Sequence, residues 1–295
     1  MNLLITGAWQ SAKASASALE TMGHSVCFLQ NERDPLPCDP AWVEGVIMSG
    51  LFLYHPIESM PNLRYVQLTS AGLDRVPMDY ILAHGIEIHN ARGVYDAPMA
   101  EFAVCGVLQL YKQAAAFFES QRAHRWEKRR DLKELCGKTV LIVGCGSIGT
   151  TCARRFRAFD TTVIGVNRTV RQDPAYDAIY AIDQLDRLLP TADVVVLTLP
   201  LTEQTRGMFD AARLGRMRSD AILVNLARGA IVDADALARA EIGGAVLDVF
   251  ETEPLPQTSP LWDKPNFILT PHNSFTGDGN PTRMDALIFR NLRRE

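Results

Sequence analysis

The chain has 295 residues, of which 47% are hydrophobic and 22% charged, with a formal net charge of −4. This is an ordinary globular composition, long enough for two domains that each bury an apolar core without disulfides or metals. The mildly acidic balance gives no bulk attraction to nucleic acid or to an anionic membrane, and no run approaches the ~20 apolar residues of a membrane span.

In chain order, residues 3–6 read as a strand and 11–22 as an Ala-rich helix stopped by Gly23. Further strands fall at 25–29, 43–48, 63–68 and 86–88. A helical stretch runs over 98–120, with Pro98 in its first turn, where a missing amide costs least. The charged segment that follows, QRAHRWEKRRDLKEL, is a solvated arm or a subunit contact, and its Arg125, Lys128, Arg129 and Arg130 form a wet face rather than a nucleic-acid site. A second alternating series places strands at 139–143, 162–166, 193–199, 221–226, 245–249 and 267–269, with helices between them and a last helix over 281–295. Short apolar runs alternating with helices are the pattern of parallel α/β sheets. Cys27, Cys38, Cys105, Cys136, Cys145 and Cys152 form no C-x-x-C pair and mostly sit in apolar runs, as free thiols of a reducing, cytoplasmic setting do.

The segment KTVLIVGCGSIGTTCARRFRAFDTTVIGVNRT carries G-x-G-x-x-G between a buried strand and a helix, and the next strand ends about 18 residues beyond Gly149. Gly144 allows the turn, Gly146 admits a pyrophosphate and Gly149 permits helix–strand packing, with the Ser147 and Ile148 amides at the positive helix end. The second strand ends on Asn167, Arg168 and Thr169, where an acidic residue would select NAD. Arg168 and its small polar neighbours suit a 2′-phosphate, so NADP(H) is the preferred cofactor and NAD(H) the alternative; a plain surface arginine is the other reading of Arg168. Past later strands lie Arg228, Glu253 and His272, at carboxyl strand ends where open α/β sheets bind ligands.

Over most of its length the chain resembles the D-isomer-specific 2-hydroxyacid dehydrogenase family, which includes glyoxylate/hydroxypyruvate reductases and D-3-phosphoglycerate dehydrogenases. The resemblance rests on SAGLD (70–74), NARGVYDAPMAEFAV (90–104), GKTVLIVGCGSIG (137–149), LPLTEQT (199–205), NLARGAIVD (225–233), GAVLDVFETEPLP (244–256) and TPHNS (270–274). It implies that His272 is the general acid, that Glu253 orients the imidazole and favours its protonated form, and that Arg228 clamps the 2-oxo carboxylate. It also implies that Ser70, Ala71 and Gly72 hold that carboxylate and that Tyr95 lines the substrate pocket. On the cofactor side it gives the nicotinamide carboxamide to Asp248, a phosphate contact to Thr205 and the adenosine wall to Leu199 and Pro200. No metal is required.

The expected architecture is a doubly wound Rossmann domain (95–275) inserted into a smaller flavodoxin-like α/β domain (1–94 and 276–295). The expected reaction is reduction of a 2-oxo acid of the glyoxylate or hydroxypyruvate type to a D-2-hydroxy acid by NADPH, in a homodimer joined through the 98–135 arm, with Trp126 packed in that contact. A dinucleotide-sensing protein with little or no turnover is the alternative, and a dehydrogenase of another acid, such as formate, shares the fold. The aromatic, apolar loop 49–56 has no cluster of Lys or Arg and argues against a phosphorylated substrate. Relative to the family, DADALARAEIGGAVLD is several residues short, near enough to Asp248 to move it, and the chain stops early at NLRRE.

Overall fold

Runs of Val, Ile and Leu form parallel strands buried on both faces, as they must where helices cover a sheet on each side. The computed structural model describes residues 1–293. In chain order the first elements are β1 (Asn2–Thr6), α1 (Ala12–Thr21), β2 (Ser25–Leu29), β3 (Gly45–Met48), β4 (Tyr65–Leu68), α2 (Met78–Ala83) and β5 (Glu87–His89). Next come α3 (Asp96–Tyr111), α4 (Ala114–Arg122), β6 (Thr139–Val143), α5 (Ser147–Arg157), β7 (Thr162–Asn167) and β8 (Ala178–Ala181). They are followed by α6 (Leu185–Leu188), β9 (Val194–Leu197), α7 (Ala211–Leu214), β10 (Ile222–Asn225), α8 (Ala234–Arg239), β11 (Gly244–Leu247), β12 (Phe267–Leu269) and α9 (Asn280–Leu292).

The chain divides into two compact units, Met1–Tyr95 with Gly277–Glu295, and Asp96–Thr276. The first unit holds a five-stranded parallel sheet in the order β2-β1-β3-β4-β5, the flavodoxin-like order. Alternation along β1 sends Leu3 and Ile5 to one face, with Trp9, Leu287 and Ile288, and Leu4 to the other, with Val46, Met48 and Val66. The second unit holds a seven-stranded parallel sheet, β12-β11-β10-β9-β6-β7-β8, whose order reverses between β6 and β9. That reversal is the switch point of a doubly wound sheet, where ligand crevices open at the carboxyl strand ends. Leu141, Val143, Val195, Leu197 and Leu223 anchor the core on one of its faces.

Several elements depart from the sequence reading. The helix expected over 98–120 is two helices, broken where Gln113 takes a left-handed backbone (φ 48°). The side chain of Gln113 donates to Asp131 Oδ2 (2.9 Å) and accepts from Arg129 Nη1 (2.6 Å), so the break is held by residues of the following segment. Strand β8, an AIYA edge strand, has no counterpart in the sequence reading, and the strand expected at 86–88 lies one residue later. Residues 294 and 295, to which the last helix was expected to extend, lie outside the described residues. Helix α8 is only six residues long, yet β11 keeps its register with β10 from Ile222↔Gly244 to Asn225↔Leu247. The short connection therefore leaves Asp248 at the strand end, its amide donating to Asn225 O (3.1 Å). No helix among the described residues is long and apolar enough to cross a membrane.

Candidate active site

At the switch point, β6 ends on Val143 and the chain turns through Gly144, whose φ of +103° side-chain-bearing residues rarely adopt. The turn packs against the end of β9: Thr198 Oγ1 donates to Gly144 O (2.6 Å), and a Cβ on Gly144 would lie 2.7 Å from Leu199 N. Leu199 thus stands beside the glycine turn, with Pro200 next in the chain. A Cβ on Gly149 would meet Gly144 O at 2.0 Å, so this glycine lets α5 start against the turn. Gly146, by contrast, faces open space, with nothing within 4 Å of an added Cβ. Helix α5 starts there, and Gly146 has no side chain to cap its first amides, those of Ser147 and Ile148. An open backbone face under the positive end of an eleven-residue helix fits a pyrophosphate.

Two details of this cradle were not legible in the sequence. The Ser147 hydroxyl is already engaged, donating to Asp96 Oδ2 in the first turn of α3. Thr205 is likewise committed to its own turn, donating to Pro200 O (2.8 Å) and accepting from Thr202 N (2.7 Å). At the end of β7, Asn167 Nδ2 donates to Thr169 O (3.1 Å), while exposed Arg168 has no hydrogen bond or ion pair among the described residues. The nearby Arg171 is held inward, on Cys145 O (2.8 Å) and Asp173 (3.3 Å).

Three loops at neighbouring strand ends carry the predicted catalytic residues. After β10, Arg228 has an extended backbone and donates from Nη1 to Ala227 O (2.7 Å). Buried Asn225 braces this loop, donating to Arg228 O (3.1 Å) and accepting from Ala227 N (3.1 Å). A Cβ on Gly229 would sit 1.8 Å from the Phe250 carbonyl carbon, so the Arg228 loop presses directly on the segment leading to Glu253. Glu253 accepts from Phe250 N through Oε1 (3.0 Å) and faces His272 Nδ1 through Oε2 (2.8 Å). His272 follows β12 in a left-handed conformation (φ 51°) and makes an edge contact with Phe275. With Nδ1–H donated to the carboxylate, Nε2 is the ring nitrogen directed away from Glu253.

The structure brings His272 and Glu253 together and sets Asp248 beneath the same loop. Expected to hold a nicotinamide carboxamide, Asp248 is wholly buried with its carboxylate turned to the His272 loop. Of the roughly four acceptor sites of a carboxylate, the loop takes three.

In the first unit, the loop after β4 carries Ser70, Ala71 and Gly72. Ser70 Oγ donates to Gly72 O (3.0 Å), and Asn90 Nδ2 donates to Ala71 O (2.7 Å). The carbonyls are taken up in this way, while the Ala71 and Gly72 amides have no hydrogen bond among the described residues, which suits an anion. Asn90 is a bracing residue that sequence reasoning passed over, although it opens the motif at 90–104. Tyr95 donates its hydroxyl to Thr69 O, and burial raises its pKa, so it stays a neutral donor. The loop 49–56 packs Leu51 inward and leaves Leu53 and Tyr54 exposed.

Known proteins share this fold and much of this sequence. The profile of the family described as D-isomer specific 2-hydroxyacid dehydrogenase, NAD binding domain, matches residues 104–274, more than half of the chain. A glyoxylate reductase of Thermofilum pendens is 33% identical over 246 residues, 80% of this chain and 73% of its own. The crystal structure of a D-isomer specific 2-hydroxyacid dehydrogenase family protein from Aeromonas salmonicida superposes with a TM-score of 0.85 at 30% identity, covering 99% of this chain and 94% of that one. A second such dehydrogenase, from Xanthobacter autotrophicus in complex with NADPH and MES, gives a TM-score of 0.81 at 27% identity over 99% of this chain and 94% of its own. Fold and site together define an NAD(P)-dependent oxidoreductase acting on CH–OH donors. The chain belongs to the D-isomer-specific 2-hydroxyacid dehydrogenase family.

Proposed function

We propose that the protein reduces a small, unphosphorylated 2-oxo acid to its D-2-hydroxy acid, using NADPH in preference to NADH. The observation that carries this reading is the 2.8 Å contact between His272 Nδ1 and Glu253 Oε2 on loops at carboxyl strand ends. Glu253 fixes the ring and its tautomer, and His272 Nε2–H delivers a proton to the carbonyl oxygen as C2 is reduced. Arg228 takes the substrate carboxylate and polarises the adjacent carbonyl. In the first unit the Ala71 and Gly72 amides stand ready for an anion, while Ser70 and Asn90 keep that loop's carbonyls occupied. Tyr95 closes the apolar side of the substrate site. A bound reduced nicotinamide supplies the hydride. For its dinucleotide, Gly144, Gly146 and Gly149 with the Ser147 and Ile148 amides form the phosphate cradle, Leu199 and Pro200 the adenosine wall, Thr205 shapes the turn beside it, and Asn167, Arg168 and Thr169 take a 2′-phosphate.

The unit of Met1–Tyr95 and Gly277–Glu295 is accordingly the substrate-binding one, and Asp96–Thr276 the dinucleotide-binding one. The unphosphorylated substrate class follows from the apolar 49–56 loop, where Leu53 and Tyr54 stand exposed. The free thiols of all six cysteines accord with a cytoplasmic setting. The exposed Trp126, Phe117 and Phe118 of the arm accord with a homodimer.

The test is oxidation of reduced cofactor against a panel of 2-oxo acids, with NADPH and NADH in parallel. Turnover favouring NADPH, with kcat depressed about 10²–10⁴-fold in His272→Ala while cofactor affinity holds, is the expected result. Tight cofactor binding without turnover of any acid would make the chain a dinucleotide sensor instead.

A further inference from the structure

We propose that Cys27 and Cys38 are a reversible disulfide site: a low-molecular-weight disulfide such as oxidised glutathione joins them, and the bond fastens the segment between them against the loop 49–56. Strand β2 is an edge of the first sheet, and Cys27 pairs in register with Leu4 of β1. Beyond β2 the chain runs outward from Gln30, and Pro35 and Pro37 stiffen its return. It comes back to the cluster it left, so that Cys27, Leu36 and Cys38 pack against the same apolar side chains. There the two thiols are hydrogen-bond partners, and both are partly exposed. A thiol within reach of a second thiol, and open to a small oxidant, is what disulfide exchange requires.

Burial, with the hydrogen bond and charge of Cys27 and the charge of Asp39 behind it, pushes the Cys38 thiol up to about 12. Cys38 therefore stays protonated near neutrality, and Cys27 makes the first attack. Its thiolate takes one sulfur of oxidised glutathione, the S–S bond of the oxidant breaks, and one glutathione thiolate leaves. Cys38 then gives up its proton and attacks Cys27 Sγ, releasing the second glutathione. Two protein thiols are oxidised, one small disulfide is reduced, and the two protons end on the two glutathione thiols. Between the cysteines lie the residues that hold the neighbouring loop. Glu32 accepts from Thr6 Oγ1 (2.8 Å) after β1 and from the amides of Ser49 and Gly50 (2.7 Å each) after β3. His55 Nε2 donates to Glu32 O and Asp34 O (3.1 Å each), and Arg33 Nε donates to the Tyr54 hydroxyl (3.1 Å). Residues 32–34 belong to no helix or strand, so a bond that closes the ring 27–38 limits how far they can swing.

The test treats the reduced, full-length wild type with oxidised glutathione and maps its tryptic peptides without reduction. Cleavage after Arg33 separates the two cysteines, so the disulfide shows as two joined peptides from a chain that runs as one polypeptide on a non-reducing gel. Joined peptides should come from most chains and vanish on treatment with dithiothreitol. The exposed Cys105 and Cys136 serve as the internal control and should carry glutathione instead. In Cys38→Ser the second step is lost, and glutathione on Cys27 should accumulate at least about tenfold above wild type. Amide exchange at Ser49 and Gly50 should slow at least about threefold in the oxidised wild type, recover on reduction, and stay unchanged in the glutathione-treated variant. Separate glutathione adducts on Cys27 and Cys38 of the wild type would overturn the site, as would two unmodified thiols once Cys105 and Cys136 have reacted. Joined peptides without slower exchange at Ser49 and Gly50 would overturn the fastening of the loop. If Cys38→Ser does not fold, mapping and exchange of the wild type decide.

Discussion

Residues 167–169 carry one charge, Arg168, which is exposed and without a hydrogen bond or ion pair among the described residues, whereas Arg171 nearby is spent on Cys145 and Asp173. A guanidinium in that state is available to a 2′-phosphate, and reversing its charge should cost the charge-assisted bonds and add repulsion. Arg168→Asp is expected to lower kcat/KM for NADPH about 10–100-fold and for NADH by less than about threefold. Equal losses with the two cofactors would remove Arg168 from cofactor selection. Arg228, Glu253 and His272 were legible in the sequence because each sits in a distinctive motif just past an apolar run. Asn90, Asn225 and Asp248 were not legible in their bracing roles. Asn90 acts across 19 residues of chain on Ala71 O, and Asp248 across 22–26 residues on the His272 loop. Only the fold brings such distant partners together. A polar residue closing a buried strand, as Asn225 closes β10 and Asp248 follows β11, was the signal available.

Among elements, α9 shows how much one helix can anchor. Its Leu287 and Ile288 join Trp9, Leu3 and Ile5 in one cluster. The Trp9 indole donates to Asp285 Oδ1 (2.7 Å) and meets Phe289 edge-on, with ring centroids 6.0 Å apart. Truncating a wholly buried aromatic costs about 3–5 kcal/mol, and here it also strands the Asp285 carboxylate. Trp9→Ala should therefore lower unfolding free energy by about that amount in denaturant titrations followed by circular dichroism. A loss under about 1 kcal/mol would mean that α9 does not anchor through Trp9. Strands such as Val194–Leu197 were readable because burial on both faces demands unbroken apolar runs. β8 escaped because its apolar run is only four residues long and half alanine, a weak strand former. The break between α3 and α4 escaped for a different reason. The sequence around it, YKQAAAF, favours helix throughout, and the contacts that turn Gln113 come from Arg129 and Asp131.

At the scale of the molecule, each unit has its own parallel sheet and its own core, and the exposed aromatic side chains of the arm belong to neither core. Trp126 is 95% exposed and Phe118 59%, on a segment that also presents Phe117. Apolar groups gathered in this way are costly in water unless a second copy covers them. Sedimentation velocity should therefore find a dimer, and Trp126→Asp should shift the population toward monomer at micromolar concentration. A monomeric wild type, or a variant sedimenting unchanged, would take the arm out of the assembly.

The division of the chain also bears on its synthesis. Asp96–Thr276 is one continuous stretch, whereas the first unit needs both Met1–Tyr95 and Gly277–Glu295. The strands β1 to β5 leave the ribosome early, but Met284, Leu287, Ile288 and Leu292, which complete the cluster around Trp9, emerge only after the whole of the dinucleotide unit. Although Ala12 and Leu19 of α1 cover part of that face of the earliest sheet, the rest must wait while the dinucleotide unit is made and folds. Of the two, the unit begun first is finished second, and its open face is the part of the nascent chain for a chaperone to guard.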